Sequence, residues 1–294
     1  MNHAFLLQVH RSPELVRRIL EKLSGANHYF FINIDQKVKN ASEFERQLNG
    51  IKNIMQISHC NVMHGGFSQV ACTMMQIRYA ISLPLDFQYF HTISGQDYPC
   101  VSMETFDAFF ENNVRSYMML DTEEEAADWK QKKYPHRLDH WYFMDFFNKP
   151  WMCKIHLAGI IRRLIYWIPR KKFDQNFIWG GWNWFSLHKD VVRFIVDYFD
   201  NNQTFIKRFH NTTSSDELIF SSIVYPHADK LQIEKRNSLR YIDWNPKREY
   251  SSLPLILDER DYDDIISSKA FFCRKVDIEQ SKRLLEMLDK RSIN

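Results

Sequence analysis

Short, nearly continuous apolar runs alternate with amphipathic stretches over the first third of the chain. FLLQV (5–9) has the character of a strand buried on both faces. Behind it, Ser12, Pro13 and Glu14 offer an N-cap, a first-turn proline and an acidic first turn. Leu15, Val16, Ile19, Leu20 and Leu23 then fall on one helical face. HYFFINID (28–35) repeats the strand signal and ends on Asp35, and NIMQI (53–57) gives a third strand. A helix is expected over about Phe67 to Ile81, and FQYFHTIS (87–94) is a fourth strand that runs into the turn SGQDYP (94–99). Strands alternating with helices predict an α/β fold with a mostly parallel, Rossmann-type sheet whose ligands sit at the carboxyl ends of the strands. Val9, His10, Asp35 and Asp97 stand at such ends. His64, Gly65 and Gly66 precede the 67–81 helix, in a loop where glycines permit close backbone approach to a ligand or simply a tight turn.

The pattern changes at Asp121. DTEEEAADW is acidic, and the stretch to Phe177 is rich in aromatic and basic residues without a clear strand–helix unit. We read 121–177 as an acceptor-side insertion between a nucleotide-binding half (1–120) and a second half (178–294) that completes the same domain. IWGGWNWFSL (178–187), with Trp179, Trp182 and Trp184, resumes the strand signal, and alternation is expected to set Trp182 and Trp184 away from Asn183, with one tryptophan lining an acceptor groove. A helix over His188 to Phe199, a short strand LRYIDW, the segment KAFFCRKVD and a final amphipathic helix follow. KIHLAGIIRRLIYWIPRKKF (154–173) supports two readings. One lays its apolar face on the core. The other docks it on anionic lipid through Arg162, Arg163, Arg170, Lys171 and Lys172.

Composition narrows the function classes. A chain of 294 residues can bury a sizeable core, and a net charge of +3 without a basic arm gives no argument for nucleic acid. Aromatic residues at 15%, with eight tryptophans, suit stacking on flat ligands or sugar faces. The five cysteines (60, 72, 100, 153, 273) are odd in number and form no CxxC pair, which predicts reduced thiols and a cytoplasmic setting. The first apolar run (Ala4–Leu7, then Val9) is too short for a signal peptide or a membrane span.

TTSSDELIFSSIV (212–224) carries the sharpest chemical question. Ser214-x-x-Glu217 fits a capping box ahead of an apolar run, which would spend Glu217 on the backbone amide of Ser214. A carboxylate at a helix start is also held ionised, as a general base must be. Asp216 beside it reads as a cap or structural partner. Asp261-Tyr262-Asp263, in ERDYDDIISS, reads as the acidic first turn of a helix rather than a metal site. Arg274 and Lys275 follow the apolar FFC and suit a diphosphate, Arg by a bidentate grip and Lys as a point charge.

The strings occur in a fixed order: His10 after the first strand, INID (32–35), ISGQDYP (93–99), GGWNWFSL (180–187), SSDEL (214–218), LRYIDW (239–244) and FFCRKVD (271–277). This ordered set, from Phe5 to about Asp277, resembles the core-2/I-branching β-1,6-N-acetylglucosaminyltransferase family (glycosyltransferase family 14), which also holds the peptide O-xylosyltransferases. The resemblance implies a GT-A-like fold and an inverting, metal-independent transferase that uses a UDP-sugar donor and no other cofactor. It places the base at Glu217, a diphosphate lysine at Lys275, and a diphosphate arginine among Arg240, Arg248 and Arg274. Val9, His10, Asp35, His64, Gly65 and Asp97 fall on the nucleotide and donor side, and Trp182, Asn183, Trp184 and Asp216 on the acceptor side. Trp182 stands where the family usually has a small serine. The expected enzyme is bacterial and cytoplasmic, peripheral at the inner face of the membrane through 154–173. It would act on a glycan or lipid-linked glycan, with GlcNAc as donor sugar ahead of xylose or a hexose.

Overall fold

The computed structural model describes residues 1–39, 41–132, 134–147, 157–246, 248 and 253–291. It begins with the expected alternation: β1 (Asn2–Val9), α1 (Pro13–Leu23), β2 (His28–Ile34), α2 (Ala41–Leu48), β3 (Ile54–Ser58), α3 (Phe67–Ser82) and β4 (Phe87–Ser94). Next come β5 (Tyr98–Pro99), α4 (Met103–Phe110), β6 (Ser116–Leu120), α5 (Glu123–Lys132), α6 (Tyr134–Leu138), α7 (Met144–Phe147) and α8 (Ala158–Tyr166). The remainder holds β7 (Gly181–His188), α9 (Lys189–Asn201), α10 (Gln203–Phe209), α11 (Ile219–Val224), β8 (Ile233–Glu234), β9 (Arg240–Ile242), α12 (Tyr262–Ser267), β10 (Phe272–Arg274) and α13 (Lys282–Arg291).

Seven strands form the main sheet in the order β3-β2-β1-β4-β7-β6-β8, and a small sheet runs β5-β10-β9. β1 to β4 are mutually parallel, whereas β7 runs antiparallel to β4 and β6. The reversal has a functional consequence, because it brings the start of β7 (Trp182–Trp184) beside the carboxyl end of β4.

Both faces of the sheet are buried, which explains the near-continuous apolar runs. Phe5, Leu7 and Val9 of β1 pack with residues of α1, α2, α4 and α13. Ala4 and Leu6 point the other way, into a core shared with α3, α9, α10 and α11. Each fully buried Leu or Phe contributes roughly 1.5–3 kcal/mol, so the two cores fix the strand ends firmly.

Several local expectations need correction. Ser12 does stand at the start of α1, but in a left-handed conformation (φ 52) with no side-chain cap bond. The pattern-based reading passed over β6, which is five residues long, and the two-residue β8. Trp179 lies before β7 rather than in it, so strand alternation does not govern it. Its ring stacks on Tyr225 at 3.4 Å between centroids. Free thiols are found at Cys60, Cys72, Cys100 and Cys273, while Cys153 lies outside the described residues.

Candidate active site

The carboxyl ends of β1, β2 and β4 converge with β10. After β4 the chain turns through Ser94 to Asp97, and the Asp97 carboxylate accepts from the Ser94 amide. Both of its oxygens also accept from Arg274 Nη1, at 3.0 and 3.2 Å. Asp97 is 1% exposed, so a lone charge there would be costly without this partner. The Arg274 guanidinium lies 3.8 Å over the ring of Trp184. Its Nε is buried without a hydrogen-bond partner.

Lys275 follows, half-buried. Burial lowers the pKa of its ammonium, the neighbouring Arg274 and Arg11 lower it further, and Asp97 offsets part of the effect. Among the described residues no carboxylate pairs with it. Arg11, just beyond β1, donates to the Gln96 side chain. Arg11, Arg274 and Lys275 thus make a cationic corner whose one internal counter-charge is already held by Arg274.

On the other side of β1, His10, Asp35, Lys37 and His64 form a second group. Burial and then Arg11 lower the His10 pKa, with Asp35 acting in the opposite sense and Lys37 and His64 adding to the lowering. Asp35 accepts from the Lys37 amide at 2.9 Å and pairs with the Lys37 ammonium at 3.3 Å. Val9 closes the corner by accepting from the Asp35 amide at 2.8 Å.

The loop before α3 ties this side to the acidic pair. Gly65 has φ +73, and its carbonyl accepts from the Ser214 amide at 2.7 Å. A Cβ on Gly66 would fall 2.4 Å from Asp145 Oδ1. Asp145 itself caps the start of α3, accepting from the Ser68 amide at 3.0 Å and the Ser68 hydroxyl at 2.5 Å.

The capping box expected at Ser214 and Glu217 is not formed. Ser214 is left-handed (φ 51) and makes no side-chain cap bond, while Ser215–Glu217 form a single 3₁₀ turn ahead of α11. With its amide given to Gly65, Ser214 has no backbone N–H left for the Glu217 carboxylate to accept from, as a capping box requires. Glu217 instead accepts from Arg137 Nη1 of α6 at 2.7 Å, with its side chain 47% exposed. The adjacent Asp216 behaves differently. It is 6% exposed, Oδ2 accepts from Asn183 at 2.8 Å, and Oδ1 is buried without a partner. Burial first and the Glu217 charge second push its carboxyl up to about 7. One acid therefore faces the solvent-open side and the other is part of the interior.

The arginine candidates separate in the same way. Arg240 is buried and donates to the carbonyls of Thr92, Phe185 and Ser238 and to the Ser186 hydroxyl, and burial lowers its pKa to about 9. It ties the small sheet to β4 and β7. Arg248 donates to Ile256 O, Asp258 and Asp261. Asp261 is 3% exposed and forms a capping box with Asp258, so ERDYDDIISS is the acidic helix start that the sequence suggested. Of the three, only Arg274 shares the corner with Lys275. Trp182, Asn183 and Trp184 are all partly buried at the start of β7, with Asn183 on the Asp216 side and Trp184 under Arg274.

Sequence reasoning missed Arg137, Arg11 and Asp145. Arg11 beside His10 was the one with a usable signal, as a cation directly after a parallel strand. The apolar face of α8 also departs from the reading that laid it on the core: Leu157, Ile160, Leu164, Trp167 and Ile168 are each more than half exposed. Arg170 is not part of its charged surface. It is buried over Trp141 and bonded to His140 O, Thr212 Oγ1 and Arg208 O. Residues 154–156 lie outside the described residues. No helix among the described residues is long and apolar enough to cross a membrane.

Comparison with known proteins supplies a family. The model of the Core-2/I-branching enzyme family matches residues 3–265. A β-glucuronosyltransferase GlcAT14A of Arabidopsis thaliana is 23% identical over 95% of this chain and 61% of its own length. Xylosyltransferase sqv-6 of Caenorhabditis briggsae is 21% identical over 99% of this chain and 36% of its own. Human xylosyltransferase 2 is 22% identical over 97% and 33%. The chain therefore spans between a third and three-fifths of the length of these relatives. The apo form of mouse xyloside xylosyltransferase 1 aligns over 94% of the chain at 10% identity with a TM-score of 0.37, too low to carry an argument.

Proposed function

The chain belongs to the Core-2/I-branching enzyme family, and on that premise we propose that it is an inverting glycosyltransferase. It transfers a sugar from a UDP-sugar to a glycan hydroxyl. The observation that carries this reading is the placement of Glu217, whose carboxylate is free of the helix cap and held half-exposed by Arg137. In an inverting transfer one carboxylate takes the proton of the acceptor hydroxyl as the sugar carbon passes through an oxocarbenium-like state. The bond to the diphosphate breaks on the opposite face, and the leaving group carries negative charge away. Lys275 and Arg274 supply fixed positive charge for it, a metal-free way to stabilise that charge.

His10, Asp35, His64 and the Gly65 loop line the nucleotide side, and Trp182, Asn183 and Trp184 the acceptor side. Asp216 is a positioning residue that braces Asn183. GlcNAc in β-linkage is the first donor sugar in this reading, with xylose or another hexose behind it. The biological setting is surface-polysaccharide or glycoconjugate synthesis in a bacterial cytoplasm. A lipid-linked acceptor fits the exposed apolar face of α8 and its neighbours Arg162, Arg163, Lys171 and Lys172, which would place the enzyme peripherally on an anionic membrane.

The test is a mass-spectrometric screen of nucleotide sugars, with GlcNAc, xylose, glucose and glucuronate donors and a panel of glycan acceptors, each with and without EDTA. One UDP-sugar should be consumed, at a rate EDTA leaves unchanged. A rate abolished by EDTA and restored by Mg²⁺ or Mn²⁺ would overturn the metal-free step. A protein that binds glycan but turns over no donor would overturn the enzyme.

A further inference from the structure

At the amino end of the sheet, the opposite end from Glu217 and Lys275, three metal-ligating side chains meet. His3 of β1 and His28 of β2 are register partners across the parallel pair. Asp107 projects toward them from α4. His28 Nε2 lies 2.8 Å from Asp107 Oδ1, and His3 Nε2 lies 3.8 Å from the same atom. The three ligand atoms all fall within 4.8 Å of one another. A tetrahedral zinc site with bonds of about 2.0–2.2 Å sets its ligand atoms about 3.3–3.6 Å apart, between these two separations.

The hydrogen-bond chemistry of the rings points the same way. His28 Nδ1 is 2.6 Å from the Leu23 carbonyl, which can only accept, so Nδ1 carries the proton. In the neutral ring, the Nε2 lone pair then faces a carboxylate oxygen at 2.8 Å, and only a proton or a cation between them removes the repulsion. A backbone carbonyl on the far nitrogen is also the arrangement that orients metal-bound histidines.

His3 gives an independent observation. Its ring is 0% exposed, and Nε2 is buried with no hydrogen-bond partner. Nδ1 lies 3.0 Å from His91 Nε2, and His91 Nδ1 lies 2.8 Å from the Ser186 hydroxyl. When His91 donates to Ser186, its Nε2 accepts from His3 Nδ1, and His3 Nε2 presents a lone pair to the site. Run the other way, the chain leaves a buried N–H without an acceptor, at a cost of about 1–3 kcal/mol.

We propose that His3, His28 and Asp107 bind a divalent transition metal, zinc by the chemistry of two imidazoles and a carboxylate, with water in the fourth position on the exposed side of Asp107. The ion clips the starts of β1 and β2 to α4. It takes no part in transfer, since β1 separates it from the reacting end by roughly 20 Å.

The experiment uses the full chain, stripped with chelator and titrated with ZnCl₂, followed by thermal unfolding, bound-zinc analysis after dialysis and Co²⁺ absorption spectra. Wild type should retain one equivalent of zinc, gain several degrees in Tm and show the ligand-field bands of a four-coordinate cobalt site. Asp107→Ala alters a half-exposed side chain that the fold tolerates, and should bind zinc at least about tenfold more weakly. If the group is only a His28–Asp107 ion pair, Asp107→Ala will be destabilised while zinc leaves the wild-type Tm unchanged. That result would overturn the proposal, as would zinc retention and a Tm gain that are equal in the two proteins.

Discussion

The carboxyl end of the parallel strands and the 121–177 stretch contribute to the candidate site in different ways. At the strand ends the charged groups brace one another. Asp97 grips Arg274, Arg274 lies on Trp184, Arg11 holds Gln96, and the Val9 carbonyl holds the Asp35 amide. The 121–177 stretch reaches the acidic pair through the Arg137–Glu217 ion pair, on the short helix α6. Under the proposed function the contrast becomes a division of labour, in which the sheet would grip the donor and a peripheral element would orient the base.

The sharpest break of that comparison is Lys275→Ala. Losing one fixed charge on a leaving group costs about 10²–10³ in rate, so transfer should fall by that factor and UDP affinity with it, as read by steady-state kinetics and calorimetry. Unchanged UDP binding would detach the cationic corner from the donor. A smaller effect is expected for Arg137→Ala. With Glu217 half-exposed, the ion pair contributes no more than about 1 kcal/mol to stability, so Tm should hardly move. The value of kcat should drop about tenfold while the UDP affinity stays. A parallel loss of both would merge the two regions into one unit.

Asp216→Asn separates the acids by pH. The Asp216 carboxyl is raised from 3.8 to about 7 on folding, so its protonated form favours the fold. That contribution is complete below about pH 4 and is lost as pH rises through 7. Relative to wild type, the Asn variant should therefore be on the order of a few kcal/mol better off at pH 8 than at pH 4, by denaturant unfolding at both. A pH-independent difference would contradict the buried reading of Asp216. Least effect on chemistry is expected from Leu164→Glu on α8 with Trp167→Glu at its end. Flotation with anionic vesicles should be lost, while kcat on a soluble acceptor stays within about twofold. Flotation equal to wild type would remove the membrane from the account.

The two regions also differed in how far the sequence revealed them. β1, β2 and β4 were legible because a parallel strand buried on both faces must be apolar throughout, and the turn after each carries polar residues at the ligand end. Arg137 left no such trace, being one cation among several in an aromatic and basic stretch with no period. The TTSSDEL pattern satisfied a capping rule that the backbone did not follow. A left-handed Ser214, tied to Gly65 across the fold, is a tertiary contact that local spacing cannot encode. The same holds for α8, where helical periodicity was plain but the side taken by solvent depended on packing.

The central claim is that Glu217 takes the acceptor proton. Glu217→Gln keeps the shape of the side chain and its contact with Arg137 while removing the basic oxygen. Single-turnover transfer by this variant, measured beside UDP binding on the same preparation, should fall by about 10²–10⁴ with affinity for UDP within a few-fold of wild type. A folded Glu217→Gln protein that transfers sugar at the wild-type rate would contradict the account.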